Sequence, residues 1–322
     1  MSESAQLPKL DLLVVGDANP DVIVSAPGLE PRFGQAEQLV DSAALVVGGS
    51  GAITAMGAAR LGLRVGLCAV VSNDDLGRLM TVKLAEAGVN LEHLVVDAHR
   101  ATGMSVILNR GHDRAVLTAS GTISALTPDD LAALPDAPAR HVHAASYYLM
   151  SQEYRDALPG AFKRFRAAGV TTSVDTNWDP TERWDVEALL GETDVFLPNE
   201  AELSAITRSP ILDRAVTMVG KFGCDVAVKR GERGGVARVN DTTYRAVRTP
   251  PVDFVDAVGA GDTFDAGYLA GRLLGRDVAA SLSMAVIAGS LSTSAAGGTD
   301  GQPTLDEVDG LLGLVPVEEE TE

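Results

Sequence analysis

Near the C-terminus, residues Asp256 to Gly267 read Asp-Ala-Val-Gly-Ala-Gly-Asp-Thr-Phe-Asp-Ala-Gly. Asp262 stands directly behind Gly259, Ala260 and Gly261, where a helical pattern begins. Small residues at a helix start leave backbone N–H groups open, and the helix dipole favours an anion there. An acid in that first turn is ordinarily a capping or dipole-stabilising group. A carboxylate beside an anion-binding turn can also take the proton of an attacking hydroxyl while the N–H groups hold charge on a transferred phosphoryl group. The residues alone leave both readings of Asp262 open.

Three other segments carry polar groups at strand ends. Gly16-Asp17-Ala18-Asn19-Pro20-Asp21 follows an apolar run. Side chains just past a strand's C-terminal end face a ligand crevice in open α/β sheets. Asn and Asp there either bind hydroxyl groups directionally or close an Asx turn. Asn199-Glu200-Ala201-Glu202 is either a helix cap with an acidic first turn or a set of oxygens suited to a hard cation. Lys229-Arg230-Gly231-Glu232-Arg233-Gly234-Gly235 joins cations to turn-forming glycines.

Positioning these groups requires alternating strands and helices. Strands are predicted at 10–15, 65–71, 141–145, 171–175, 194–197 and 225–229. Helices are predicted at 51–61, 76–87, 152–168, 261–274 and 278–295. Repeated β-then-α argues for a three-layer α/β/α sandwich around a mostly parallel sheet. Two stretches, about 17–47 and 100–119, break the rhythm as strand pairs and are expected to form a small β-sheet lid. The second is centred on Arg110-Gly111-His112-Asp113. One domain is expected over 9–314, with flexible termini at 1–8 and at the acidic end 315–322.

Composition narrows the partners. Among 322 residues, 26 Lys and Arg oppose 44 Asp and Glu, a formal charge of -18. That field repels nucleic acid and anionic membranes. No apolar run is long enough to span a bilayer and no signal peptide precedes the first strand, so a cytoplasmic protein is expected. Cys68 and Cys224 lie among apolar neighbours and read as buried free thiols.

The run at 256–267 resembles the C-terminal signature of the PfkB (ribokinase-like) carbohydrate kinase family, and other motifs follow in that family's order over roughly residues 10–300. The resemblance implies an anion hole at Gly259, Ala260 and Gly261, with Asp262 as catalytic base. It implies sugar contacts from Asp17, Asn19 and Asp21, close backbone approach at Gly48-Gly49, and an Arg near the substrate at Arg114. Ile53 replaces the family's Asn, and a substrate contact is missing there. Asn73-Asp74-Asp75-Leu76-Gly77 resembles a D-x-x-G element and is read as a helix cap, with Asp75 structural. Asp175-Thr176-Asn177-Trp178-Asp179 resembles D-x-N-x-R, with Asp179 in place of the Arg, which argues for an unphosphorylated acceptor.

Asn199 and Glu202 match N-x-x-E, which implies Mg2+ at Glu202 through water. Lys229, Gly231 and Gly234 fall on the nucleotide side. Gly289, within 285–298, falls on the adenine wall, together with the loop 247–255. Asp256 and Val258 correspond to a K+ site of many members. The expected reaction transfers phosphate from ATP to a hydroxyl of a sugar-like molecule, in a homodimer paired through the lid. A nucleoside acceptor, or a catalytically silent sugar or nucleotide sensor on the same fold, are the competing readings.

Overall fold

The computed structural model describes residues 10–110, 114–247 and 249–321. Its strands are β1 (Leu10–Val15), β2 (Asn19–Ser25), β3 (Ser42–Gly48), β4 (Val65–Cys68), β5 (Val70–Ser72), β6 (Val95–Asp97), β7 (Met104–Asn109), β8 (Arg114–Ala119), β9 (Ala139–Ala144), β10 (Thr171–Val174), β11 (Val195–Phe196), β12 (Asp225–Lys229), β13 (Gly235–Val239), β14 (Thr242–Ala246) and β15 (Val317–Thr321). Nine of them form one sheet in the order β15-β14-β13-β12-β11-β10-β9-β1-β4. The six strands from β4 to β12 run parallel, and β13, β14 and β15 continue antiparallel.

The apolar run 10–15 forms β1 because it is buried on both faces: Leu12, Leu13, Val14 and Val15 are fully buried. Leu12 and Val14 pack in one core with the helices Ser50–Arg60, Ala260–Leu273 and Val278–Ser292. Leu13 and Val15 pack in a second core with Gln152–Ala167 and the helices beyond it. The two cores on opposite faces make the expected three layers. Helices Ala260–Leu273 and Val278–Ser292 lie close because Gly267 and Gly271 carry no Cβ: one at either would come within 2.8 Å of the neighbouring backbone.

The lid is a separate four-stranded sheet in the order β3-β2-β7-β8. Its pairs are antiparallel at β2–β3 and β7–β8 and parallel at β2–β7. Of the hairpin centre expected at 110–113, Gly111, His112 and Asp113 lie outside the described residues, as do 1–9.

Three expectations change. The acidic end is a strand: β15 pairs with β14 from Ala246–Val317 to Thr242–Thr321 and closes the main sheet. The expected strand 65–71 divides, because β5 leaves the main sheet to pair with β6. The helix Asp75–Glu86 is capped by Asp74, which accepts the Gly77 N–H at 2.8 Å and the Thr102 N–H and hydroxyl at 2.8 and 2.6 Å. Asp75 stays exposed and pairs with Arg78. Cys68 and Cys224 are free and buried, as expected, and burial pushes the Cys68 thiol up to about 12.

Candidate active site

The turn before helix Ala260–Leu273 is locked from three sides. Gly259 caps it at φ 70 with no side-chain bond. This left-handed backbone suits glycine, and a Cβ would sit 2.6 Å from the Gly298 Cα. The Asp256 carboxylate accepts the Val258 and Gly297 N–H groups, both at 3.1 Å. Among the described residues, the N–H groups of Gly261 and Asp262 find no acceptor. Open N–H groups at a helix start favour an anion.

Asp262 is half-buried beside this turn. Ser50, whose hydroxyl accepts Asn177 Nδ2 at 2.8 Å, favours the ionised form of Asp262. Burial first, then the Asp175 charge, raises its carboxyl to about 6, with Lys229 opposing. A carboxylate poised in that range suits proton transfer near neutral pH.

On one side of the turn lies a cavity of about 810 Å³, within the size range of small-molecule sites. Ala260, Gly261, Lys229, Gly231, Gly234 and Gly289 all line it. Gly289 keeps the wall open, since a Cβ there would come within 2.9 Å of the Ala260 carbonyl. Arg114, expected near the acceptor, lies exposed on the rim of this same cavity with Asn109.

A second group of side chains gathers where the lid joins β1. Asp17 is buried and accepts the Gly51 N–H at 2.9 Å. Asn19 donates to Asp21 Oδ1 at 3.0 Å, and its own Oδ1 is buried without a partner. The glycine pair explains the arrangement. A Cβ on Gly48 would fall 2.1 Å from the Asp21 carboxyl carbon, and one on Gly49 would fall 2.8 Å from Asn19 Oδ1. Gly48 and Gly49 therefore make room for these two side chains. Burial, then the charges of Asp17 and Asp262, raises Asp21 to about 7. Burial also raises Asp17.

Beneath the turn is a buried charge cluster. Lys229 Nζ contacts Asp175 Oδ2 at 2.7 Å and Asp265 Oδ2 at 3.0 Å. Carboxyl oxygens of Asp175, Asp262 and Asp265 lie within 4.8 Å of one another. Asn199 and Glu202 form a reciprocal capping box, with N–H to side-chain distances of 2.9 Å both ways. The Asn199 side-chain oxygen is thereby committed to the helix end. Glu202 is buried, and desolvation, then the Asp175 charge, raises it to about 7.

A family model described as "pfkB family carbohydrate kinase" matches residues 9–305. The chain belongs to the pfkB family of carbohydrate kinases. Among curated PfkB relatives, an ATP-dependent ribose-1-phosphate kinase of Halopiger xanaduensis is 32% identical over 305 residues, covering 94% of this chain and 97% of the relative. A ribokinase of Bacillus subtilis is 26% identical and covers 94% and 99%. Among solved structures, Arabidopsis thaliana ribokinase complexed with ribose and ATP is similar with a TM-score of 0.80 and 25% identity, covering 94% and 98%. An E. coli chain solved with ATP and Mg2+ has the same fold, with a TM-score of 0.83, 24% identity, and 95% and 99% covered.

Two departures from the PfkB motifs now have local causes. Ile53 is buried and packs on Gly298, where a Cβ would meet its Cδ1 at 2.5 Å. Asp179, standing for the motif's Arg, accepts the N–H groups of Thr181, Arg183 and Trp184 at 2.8 to 2.9 Å and braces its own loop. Sequence reasoning assigned no role to Asp175 or Asp265 and left open whether Lys229 was exposed. The signal for Asp265 was its three-residue spacing from Asp262, which puts both on one helix face. Gln302 was also missed: its Nε2 joins the Ile53 carbonyl at 2.8 Å to Thr263 Oγ1 at 3.1 Å, tying two helices that frame the turn.

Proposed function

We propose that this PfkB kinase transfers the γ-phosphoryl group of ATP to a hydroxyl of a sugar-like acceptor, with Asp262 as general base. The observation that carries the reading is a half-buried carboxylate, raised to about 6, next to N–H groups that have no acceptor. The acceptor lies under the lid against Asp17, Asn19 and Asp21, with its reacting hydroxyl toward Asp262. The unpartnered Asn19 Oδ1 suits a sugar hydroxyl donor. The donor nucleotide fits the 810 Å³ cavity, its phosphates toward Gly231, Ala260 and Gly261.

Asp262 accepts the hydroxyl proton. The turn Gly259–Gly261 and the Asp262 N–H hold negative charge on the transferred group, and Lys229 adds a positive charge from below. Mg2+, which Glu202 would hold through water, neutralises phosphate charge when bound. The carbonyls of Asp256 and Val258 accept no hydrogen bond among the described residues and would suit K+. Closure of the lid excludes water from the transfer. Two copies pair through the exposed lid strands.

The absence of an Arg at position 179 favours a neutral acceptor. The Halopiger relative favours a second reading, a sugar phosphate such as ribose 1-phosphate. An ADP-release assay over sugars, sugar acids, polyols, nucleosides and ribose 1-phosphate, run in K+ and in Na+, separates these. Asp262→Asn is expected to bind ATP and lose turnover by roughly a hundredfold or more. ADP release that no acceptor stimulates, or near-normal turnover in that variant, overturns the proposal.

A further inference from the structure

Six carboxyls and one ammonium gather beneath and beside the anion-accepting turn. Asp17 behind β1, Asp21 on β2, Asp175 behind β10, Glu202 on its helix, and Asp262 and Asp265 on theirs act on one another or on Lys229 at the end of β12. His143 on β9, bonded to the Ser173 hydroxyl at 2.8 Å, feels the charges of Asp175 and Lys229 and is held uncharged by burial. So many acids cannot all be ionised against a single Lys in a buried site.

The bonding shows where a proton belongs. Asp175 is stabilised as an anion: it accepts the Asn177 N–H at 3.0 Å and the Lys229 ammonium at 2.7 Å. Asp265 is fully buried, and its Oδ2 takes the ammonium at 3.0 Å, but its Oδ1 has no donor. The Asp265 and Asp175 carboxyls nonetheless share the one ammonium, and carboxyl oxygens of the two lie within 4.8 Å of each other. Two ionised carboxylates this close against one ammonium are costly in a dry site, so one of them holds a hydrogen, and the oxygen without a donor is on Asp265.

We propose that Asp265 is a neutral acid that donates to Asp175 and accepts from Lys229, a positioning residue that pins Lys229 below Gly261 and leaves Asp262 as the carboxylate open to a proton. With Asp265 neutral, Lys229 and Asp175 cancel, and Asp265 adds no negative charge beside Asp262. The inference rests on the proposed role of Asp262, so it is tested with Asp262 intact; the Asp262→Asn result judges that role separately.

Asp265→Ala is expected to lower kcat by tenfold or more. Asp265→Asn, which keeps one acceptor and one donor, is expected to restore kcat to within about threefold of the natural enzyme. The pH profile gives the decisive readout. Losing a buried negative charge would move the acid limb of kcat down by about a unit or more, whereas replacing a neutral acid by Asn leaves it in place. Lys229→Met removes the cation that favours ionised Asp262 and should move the same limb up by about a unit. If Asp265→Ala does not fold, the profile of Asp265→Asn decides alone. An Asp265→Asn enzyme as impaired as Asp265→Ala, or with its acid limb shifted down by a unit, overturns the proposal.

Discussion

Asp21 shows how a site residue trades stability for chemistry. In the folded chain its carboxyl titrates at about 7, chiefly because it is buried. In the unfolded chain an Asp titrates near 3.9. Between those values the folded state keeps a proton that the unfolded state has released, so stability falls as pH rises through this window. At about 1.4 kcal/mol per unit, the cost above pH 7 is on the order of 2–4 kcal/mol relative to pH 4. Asp21→Asn removes that titration. It should raise the melting temperature by several degrees at pH 8, change it little at pH 4, and lower kcat/KM for the acceptor by tenfold or more. Paired melting curves and acceptor kinetics check this; equal melting at pH 8 would mean that Asp21 is not held in a desolvating position.

The elements around the turn form a stack of close contacts. Ile53 on helix Ser50–Arg60 presses on Gly298, and Gly298 presses on Gly259 at the head of helix Ala260–Leu273. A Cβ at Gly298 would lie 2.5 Å from Ile53 Cδ1 and 3.6 Å from the Gly259 Cα, so the clash falls on Ile53, next to the anion-accepting turn. Gly298→Ala should therefore destabilise by about 1–3 kcal/mol, as overpacking does, and lower kcat with it. Shortening the neighbour should relieve part of this. The double variant Ile53→Ala with Gly298→Ala is expected to recover both melting temperature and kcat relative to the sum of the single changes. Strict additivity would show that the two residues do not meet. The same stack gives Ile53 a packing role at the position where the family motif has Asn.

At the scale of the molecule, the lid strands carry exposed apolar side chains. Every residue of β8 is exposed, and Leu45, Val116 and Leu117 are 49%, 53% and 61% accessible. Apolar side chains on unpaired edge strands favour association. The opposite situation holds at β15, where Glu318, Glu319 and Glu320 line the outer edge of the main sheet with like charge and discourage pairing there. Pairing is therefore expected through the lid. Sedimentation velocity at micromolar concentration should give a dimer, and Leu117→Asp should give a monomer; a natural chain that sediments as a monomer would exclude the pairing.

Much of this was legible in the linear chain. The run 256–267 announced an acid at a glycine-rich helix start, because a helix turn joins residues that are neighbours in sequence. Asp17, Asn19 and Asp21 were legible for the same reason, as was the alternation that makes three layers. The strand at the acidic end was not: five residues with three consecutive glutamates carry no strand signal of their own, and β15 exists because β14 offers it an unpaired edge. Nor was the buried triad. Lys229 meets Asp175 across 54 residues and Asp265 across 36. Local spacing cannot encode such distances. They follow from strand order, which sets β10 and β12 on either side of β11 and packs helix Ala260–Leu273 against the same sheet. The sequence by itself therefore determined which groups could do chemistry, while the tertiary structure decided which charges they share.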